Sequence, residues 1–570
     1  METDIKQIDT VLNQYITAYA RIDPFKATEW GISGYDAMLP DYSPPGISER
    51  YNLRKDTLAR IARTPKASLR EKQEAQGFTL YAQAEQEKFE AGFLESEISG
   101  TNSPIPVIAE GFKLMDVTTE VGVGNLTRRF LALPQAFTGL KTTMRESKNR
   151  GYAFPQEVLE KVLEQALLLA DPGHDIYQGK RSKMELAHLS PMGRRALARA
   201  KATAQDAFAD MASFLKQEIM SACSPIGPVD PHSYFISLKS VGVSDLNPSE
   251  LYAEASADLV RLGAQRDQLL SKLGGKRANR LSSLEISDGF EVLNWAIEDA
   301  TDAFSQQVDS QLAALASPEY FPLRWENDPH GVLMHPYYPT GIGLSPSSRG
   351  TSRKCALTRA PHAGEGGEDV TAICGNAFDA FCEIDDAYFV LAAFEKGIPG
   401  AHLYSRVRET YGNNLFTRVG ANLPATNLGW NIFALEMAPK LWEIPSEIQL
   451  EIIERITRFI ALALADLQLY GQQGQGKSLW TLPKAIAYLR EKPGGPWNQQ
   501  LLRQRYLGIP ALSIAPWYGW RRWHETYNQF QRAGGKGFAD FMRTISPTGA
   551  VHFEVIRKAV TMKKRGIRRF

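Results

Sequence analysis

Acidic, amine and imidazole side chains lie close together around a break in an apolar, helix-like segment. This segment, Leu391–Tyr404, contains Glu395, Lys396 and His402, and the break is formed by Gly397–Gly400. Interrupting a buried helix costs free energy, so such a break usually has a packing or functional reason. A lysine in a buried site can have a depressed pKa and act as a base or nucleophile. The segment is therefore the first candidate for a site.

Metal chemistry is a weaker interpretation of the same segment. Glu395, His402 and Glu409 are spaced by seven and would share one face of a straight helix, but the break spoils that spacing. None of the nine histidines belongs to an HExxH motif, and none of the four cysteines belongs to a CxxC pair. A catalytic zinc usually needs three protein ligands and a water. We therefore expect no metal and no other cofactor.

A formal match to the phosphate-binding loop occurs at Gly471–Ser478. That loop binds phosphate only between a buried strand and a helix N-terminus. The preceding residues continue a long amphipathic helical pattern, so we predict a polar loop between helices.

Composition excludes several classes of partner. The chain has 65 basic and 64 acidic side chains, which argues against a nucleic-acid partner, since phosphate neutralisation needs a basic excess. The start, Met1–Asp4, lacks a basic region followed by an apolar run, and the longest apolar stretch, Phe459–Ala465, is too short to span a bilayer. We expect a cytoplasmic protein without a membrane partner. The sequence leaves the oligomeric state open.

Helical periodicity dominates the 570 residues and predicts a mainly α protein with a minor β element. We read residues 1–570 as one large helical unit, in which two lobes of about 1–320 and 321–570 would flank a cleft. The clearest predictions are a capping box at Ser68–Glu71, helix starts at Pro155 and Asn247, helices over Arg194–Leu215 and Glu447–Leu469, a strand over Ser233–Val243, and an irregular sheet or lid over Pro322–Gly375.

Several segments resemble the bacterial domain-of-unknown-function family 885, whose members resemble helical zinc carboxypeptidases. They are Asp23–Asp36, with the pattern D-P-x-x-A-T-x-x-G-I-x-G-Y-D, then Leu39–Asp41, Asn247–Leu251, Arg505-Tyr506 and Phe538–Gly549. The resemblance implies a large multi-helix metallocarboxypeptidase-like fold with a central cleft.

The chain departs from that family where the chemistry should lie. Typical members read His-Glu-Gly-Ile-Pro-Gly-His-His at the interrupted helix, and the histidines and glutamate serve a catalytic zinc. Here Glu395, Lys396 and Ala401 replace three of these residues, and only His402 is retained.

Three further motifs are also altered. The family's Glu-Gly-Trp becomes Leu428-Gly429-Trp430, a later Asp-x-x-x-His becomes Asp466-x-x-x-Tyr470, and a Tyr-Lys pair becomes Pro516-Trp517. Joint loss at four places favours a scaffold that was kept after the metal was abandoned.

The resemblance thus predicts a pseudopeptidase whose cleft binds a peptide or small molecule without catalysis. The alternatives are a hydrolase with metal-free or non-standard chemistry in the same cleft, in which Lys396 would be the reactive group, and a purely structural or partner-binding role. Glu395 and Lys396 are equally well explained as charges that neutralise the space once held by zinc. The predicted cleft residues are Glu395, Lys396, His402, Trp430, Asp466, Tyr470, Arg505, Tyr506 and Trp517.

Overall fold

The computed structural model describes most of the N-terminal half and nearly all residues after 399. The described residues are 7–92, 103–113, 115, 117, 119–174, 176–177, 189–227, 229–243, 247–274, 332–333, 356–359, 371–374, 391, 394–395, 399–441, 444–471 and 480–564. The side chains of His402, Glu409 and Arg505 are outside the description. So is Lys396, together with most of 322–375 and the polar loop expected after Gly471.

The described chain is mainly helical, as the sequence predicts. The α-helices are α1 Gln7–Ile22, α2 Pro24–Glu29, α3 Pro44–Arg63, α4 Leu69–Glu90, α5 Pro104–Lys113, α6 Glu120–Asn149, α7 Gln156–Ala170, α8 Pro191–Phe214, α9 Pro231–Ser240, α10 Pro248–Lys272, α11 Ala401–Tyr411, α12 Pro424–Leu441, α13 Ser446–Leu469, α14 Leu482–Arg490, α15 Gly495–Leu501, α16 Ile514–Arg532, α17 Gly537–Ile545 and α18 Phe553–Lys564. Short π-helical turns follow or join some of them at Leu215–Ile219, Phe416–Gly420 and Leu502–Tyr506, and 3-10 turns lie at Met220–Ala222 and Ser546–Thr548. Among the described residues, no helix combines the length and apolar composition that a bilayer crossing requires.

Local start signals place several helices where the sequence predicts them. Ser68 and Glu71 form a complete capping box at the start of α4, and Asn247 and Glu250 form another at α10. Each box satisfies backbone N–H groups that the first helical turn would otherwise leave unpaired. These boundaries depend only on residues within one turn, so the sequence alone can predict them.

The prediction of a strand over Ser233–Val243 is wrong. Pro231–Ser240 is the helix α9. Its N-cap is Asp230, whose side chain accepts a hydrogen bond from the backbone N–H of Ser233 at 2.9 Å. Alternating apolar and polar residues suggested a strand, but an Asp-Pro helix start is the stronger local signal.

The strands of the described residues are short and form two small sheets. β1 Phe154–Pro155 pairs in parallel with β2 Cys223–Ser224. β3 Val332–Leu333 and β4 Ala356–Arg359 lie on either side of β5 Thr371–Cys374, parallel and antiparallel to it respectively. The second sheet falls within the region where the sequence predicts an irregular sheet or lid.

Helix α13 is the most buried long element of the described chain, and α10, α12, α14 and α16 pack against it. Every residue from Phe459 to Tyr470 is buried. The sequence predicts one apolar face here, whereas the structure buries all sides of the second half. A helix surrounded by other helices needs no solvated face.

Helices α12 and α16 touch through their backbones. A Cβ placed on Gly519 would overlap the carbonyl oxygen of Ala425, and a Cβ on Gly429 would overlap the backbone of Gly519. This contact holds Trp430 and Trp523 in one aromatic cluster, with their ring centroids 5.0 Å apart. The Gly429-Trp430 pair therefore has a packing function.

Replacing Gly519 by alanine tests this backbone contact. Because the new methyl group would meet backbone atoms, we expect Gly519→Ala to lower the free energy of unfolding by about 3 kcal/mol or more. Gly263→Ala in α10 is the matched control, since nothing lies within 4 Å of the point that its new Cβ would occupy. That variant should be neutral or slightly more stable. Equal apparent melting temperatures for the two variants would contradict the close contact of α12 and α16.

Candidate functional site

The break before α11 is fixed by Trp430. Its indole Nε1 donates hydrogen bonds to the carbonyl oxygens of Pro399 and Gly400, at 3.0 and 3.2 Å. The Tyr404 ring stacks on Trp430 with centroids 4.7 Å apart. A Cβ on Gly400 would overlap the backbone of Glu395, so this position requires glycine. The end of the break at Pro399 and Gly400 thus has a packing reason.

Glu395 forms a buried ion pair with Arg455 of α13. The Glu395 Oε2 atom lies 2.9 Å from Nε and 2.7 Å from Nη2 of Arg455. Both residues are at most 5% exposed. Buried charges are costly unless they are paired, so this ion pair stabilises both groups.

Asp466 accepts three hydrogen bonds near the other end of α13. Its Oδ1 accepts from the Tyr234 hydroxyl at 2.7 Å and from the Ala511 backbone N–H at 3.0 Å, and Oδ2 accepts from the Ser513 hydroxyl at 2.9 Å. Burial raises the pKa of Asp466 to about 6, although these hydrogen bonds act in the opposite direction. Ala511 has a φ of 70°, so the bond to Asp466 helps to hold a backbone conformation that alanine rarely adopts.

Tyr470, one turn after Asp466, is attached to the same loop. Its hydroxyl accepts a hydrogen bond from the backbone N–H of Gly508 at 3.3 Å. Desolvation raises the pKa of the Tyr470 phenol, which is therefore neutral near pH 7. Asp466 and Tyr470 together fix the loop from Gly508 to Ser513.

Trp517 belongs to a third network. Its Nε1 donates to Asp258 Oδ2 at 3.1 Å, and Arg521 donates to the same oxygen at 2.9 Å. Arg261 donates to the other carboxylate oxygen at 3.0 Å. Tyr506 is 1% exposed in the core.

The sequence-predicted residues are thus distributed over separate buried networks. Arg455 and Asp466 are eleven positions apart on α13, about 16 Å along the axis at ~1.5 Å per residue. Ligands of one zinc ion lie within roughly 4 Å of each other, since each is about 2 Å from the metal. Glu395 and Asp466 therefore do not fit a common zinc site, and the described residues contain no cluster of three His, Cys, Asp or Glu side chains suited to a metal. Assignment of the predicted residues to a ligand-binding cleft stays a prediction.

A cavity that the sequence analysis missed lies between the N-terminal helices and the loop beyond Asp466. Its volume is about 280 Å³. Side chains from α1 to α4 and Trp30 line one side, and Ser240, Val241, residues 419, 420 and 422–424, Ile509 and Leu512 complete the lining. The available sequence signal was Glu85 within an otherwise aromatic and apolar stripe of α4, but the elements that complete the cavity are far away in the sequence.

Arg54 is the most unusual residue of this cavity. It is 3% exposed, its Nη2 lies 3.3 Å from Glu85 Oε2, and its guanidinium carbon lies 5.7 Å from the centre of the Tyr19 ring. The Nε and Nη1 atoms have no hydrogen-bond partner among the described residues. Burial of unpaired guanidinium donors is costly and therefore uncommon.

Comparison with known proteins establishes the family. Residues 24–560 match the model of a family described as bacterial protein of unknown function, DUF885. The chain belongs to this family. No curated protein matches the chain.

Two solved structures share the fold of this DUF885 protein. A putative lipoprotein from Colwellia psychrerythraea has 15% identity and a TM-score of 0.77, with 98% of this chain and 99% of that chain covered. A putative lipoprotein of unknown function from Shewanella oneidensis has 13% identity and a TM-score of 0.63, with 97% and 99% covered. At such identities the likeness shows the fold alone, and the cytoplasmic location expected for this chain stays a prediction.

Asp466 should impose a pH dependence on stability. Its folded-state pKa of about 6 lies above the ordinary value of 3.8, so the folded state binds the proton more tightly. Stability from this group is present in acid and is lost as the pH rises from about 4 to about 6, by on the order of 3 kcal/mol.

Asp466→Asn should remove this dependence. The amide preserves the shape, and the Ser513 hydroxyl can accept from its NH₂ group while it donates to the Leu462 carbonyl. Melting temperatures of wild type and variant, measured from pH 4 to 7, should shift in favour of the variant as the pH rises. The exposed Asp206→Asn of α8 is the control and should track wild type. A constant difference between wild type and Asp466→Asn would refute the raised pKa.

The Glu395–Arg455 pair makes a separate prediction. Arg455→Met leaves a buried carboxylate without its arginine and should cost about 3–5 kcal/mol of stability. Glu395→Gln combined with Arg455→Met should recover a substantial part of that loss, which a double-mutant cycle on unfolding free energies would measure. Simple additivity of the two changes would show that the ion pair contributes nothing.

Proposed function

We propose that this DUF885 protein is a pseudopeptidase: a peptidase-like scaffold that binds a peptide or small molecule and holds no catalytic zinc. The proposal concerns the positions at which the family pattern would supply the metal ligands and the general base. In this chain these positions are Glu395, Lys396, Ala401 and Leu428. Alanine and leucine cannot coordinate a metal, and lysine cannot serve as a carboxylate base.

The observation that carries the proposal is the ion pair between Glu395 and Arg455. Glu395 occupies the position of the first histidine of the family motif, and its carboxylate could have replaced that ligand. Instead Oε2 contacts two nitrogen atoms of a buried arginine. The Arg455 guanidinium, in contact with this carboxylate, opposes the binding of a cation there. The guanidinium and the cation would repel each other strongly in a poorly solvated environment.

Packing supports the same interpretation. Gly400, Gly429 and Trp430 all have roles in the contacts between helices, as the overlaps at the glycines and the indole hydrogen bonds indicate. These residues would be retained for stability after loss of the metal. Retained framework and altered ligand positions are the combination expected of a scaffold that has given up its original chemistry.

Metal content and peptide hydrolysis test the proposal together. Untagged protein should be purified without chelators from zinc-supplemented cells. Elemental analysis should then find less than about 0.1 zinc per chain. The protein should also leave a mixture of short peptides intact in a mass-spectrometric assay. About one zinc per chain would overturn the proposal, because the protein would then have a metal site.

Hydrolysis without metal would also overturn it and would favour a hydrolase with replaced chemistry. Lys396→Met then identifies the reactive group, since loss of turnover would assign it to Lys396. Retention of turnover would remove Lys396 from the mechanism.

A further inference from the structure

The cavity around Arg54 has the properties of a binding site for a small anion. It lies between α1, α3 and α4 on one side and the loop residues Ile509 and Leu512 on the other. Its volume of about 280 Å³ is near the lower end for small-molecule sites. The cavity is therefore suited to a small organic ligand.

Charge favours an anionic ligand. Lys26, Arg54 and Lys88 line the cavity, and Glu85 is the one acidic side chain among the described residues of its lining. Lys26 already pairs with Glu29 at 2.6 Å, and Glu85 compensates only Nη2 of Arg54. The buried guanidinium therefore keeps donors that a ligand oxygen could satisfy.

The remaining walls are aromatic and aliphatic. Tyr15, Tyr19, Tyr81 and Trp30 are joined by aliphatic residues from α1, from the segment 419–424 and from the 509–512 loop. Burial raises the pKa of Tyr19 to about 12, so this phenol stays neutral and can donate a hydrogen bond at physiological pH. An apolar body beside one anionic group would match these walls.

We infer that this cavity binds a small organic carboxylate, with the carboxylate at the Arg54 guanidinium and an aromatic or aliphatic body against the tyrosines and Trp30. Arginine donates in a plane and suits carboxylate recognition. The ligand replaces the hydrogen bonds that Nε and Nη1 lack within the described protein.

This site is separate from the positions considered for the pseudopeptidase function. The loop from Gly508 to Ser513 lies between them: Ile509 and Leu512 line the cavity, whereas the Ala511 N–H and the Ser513 hydroxyl bind Asp466. The inference therefore does not depend on whether the chain has lost its zinc chemistry. A ligand in the cavity would contact the same loop that Asp466 and Tyr470 fix.

Calorimetric titration of the full chain with matched probes tests the inference. The probes are 3-phenylpropionate, 4-methylpentanoate, the neutral amides of both acids, and inorganic phosphate, at pH 7 and low salt. At least one carboxylate should bind, and its amide should bind at least about tenfold more weakly, since a charged hydrogen bond is lost. This comparison uses wild-type protein, so it does not depend on the folding of any variant.

Two variants locate the site. Arg54→Gln should weaken carboxylate binding at least about tenfold, and Glu85→Gln should strengthen it several-fold, because it removes a like charge. Arg63→Gln, an exposed position at the end of the same helix, should leave the affinity unchanged.

Three results with the wild-type protein would overturn the inference. The first is that neither carboxylate binds at 10 mM, which is about the upper limit of useful affinity. The second is equal binding of acid and amide, and the third is binding of phosphate in preference to both acids. Unchanged affinity in a folded Arg54→Gln protein would exclude Arg54 as the anchor.

Discussion

Burial of helix α13 is the constraint on which the rest of the structure depends. Since most of α13 has almost no contact with water, each buried charged group on it needs a partner from another helix or loop. Arg455 pairs with Glu395, Glu454 pairs with Arg266 of α10 at 2.9 Å, and Asp466 binds Tyr234 of α9. These contacts set the positions of three distant parts of the chain around one helix.

The same constraint explains why Glu395 and Trp430 are integrated into the core. A carboxylate that faces a buried arginine contributes to packing and is unsuited to a second cation. Similarly, Trp430 donates hydrogen bonds to the carbonyl groups of Pro399 and Gly400 just before α11. The overall fold is shared with two solved structures at 13–15% identity, so this architecture tolerates extensive change in sequence.

Polar groups are treated differently in the two regions considered for function. Around Asp466, both carboxylate oxygens accept protein hydrogen bonds, and the loop from Gly508 to Ser513 is held in place. Around Arg54, the guanidinium is buried but incompletely paired, and open volume lies beside it. A closed network stabilises the fold, whereas an open cavity with unpaired donors can bind a ligand. This difference in hydrogen-bond pairing makes the cavity at the N-terminal helices the better candidate for a ligand site.

The sequence by itself determined the helical class, the family and the helix starts at Ser68 and Asn247, because periodicity and capping act within a few residues. It also identified Glu395, Trp430 and Asp466 as unusual positions, but it could not supply their partners. Arg455 is 60 residues from Glu395, and Tyr234 is 232 residues from Asp466. The prediction of a strand over Ser233–Val243 is wrong because the helix-start signal of Asp230-Pro231 is stronger than the apolar–polar alternation. Only the tertiary structure decided which charges are paired and where open volume remains, because both depend on contacts between segments that are far apart in the chain.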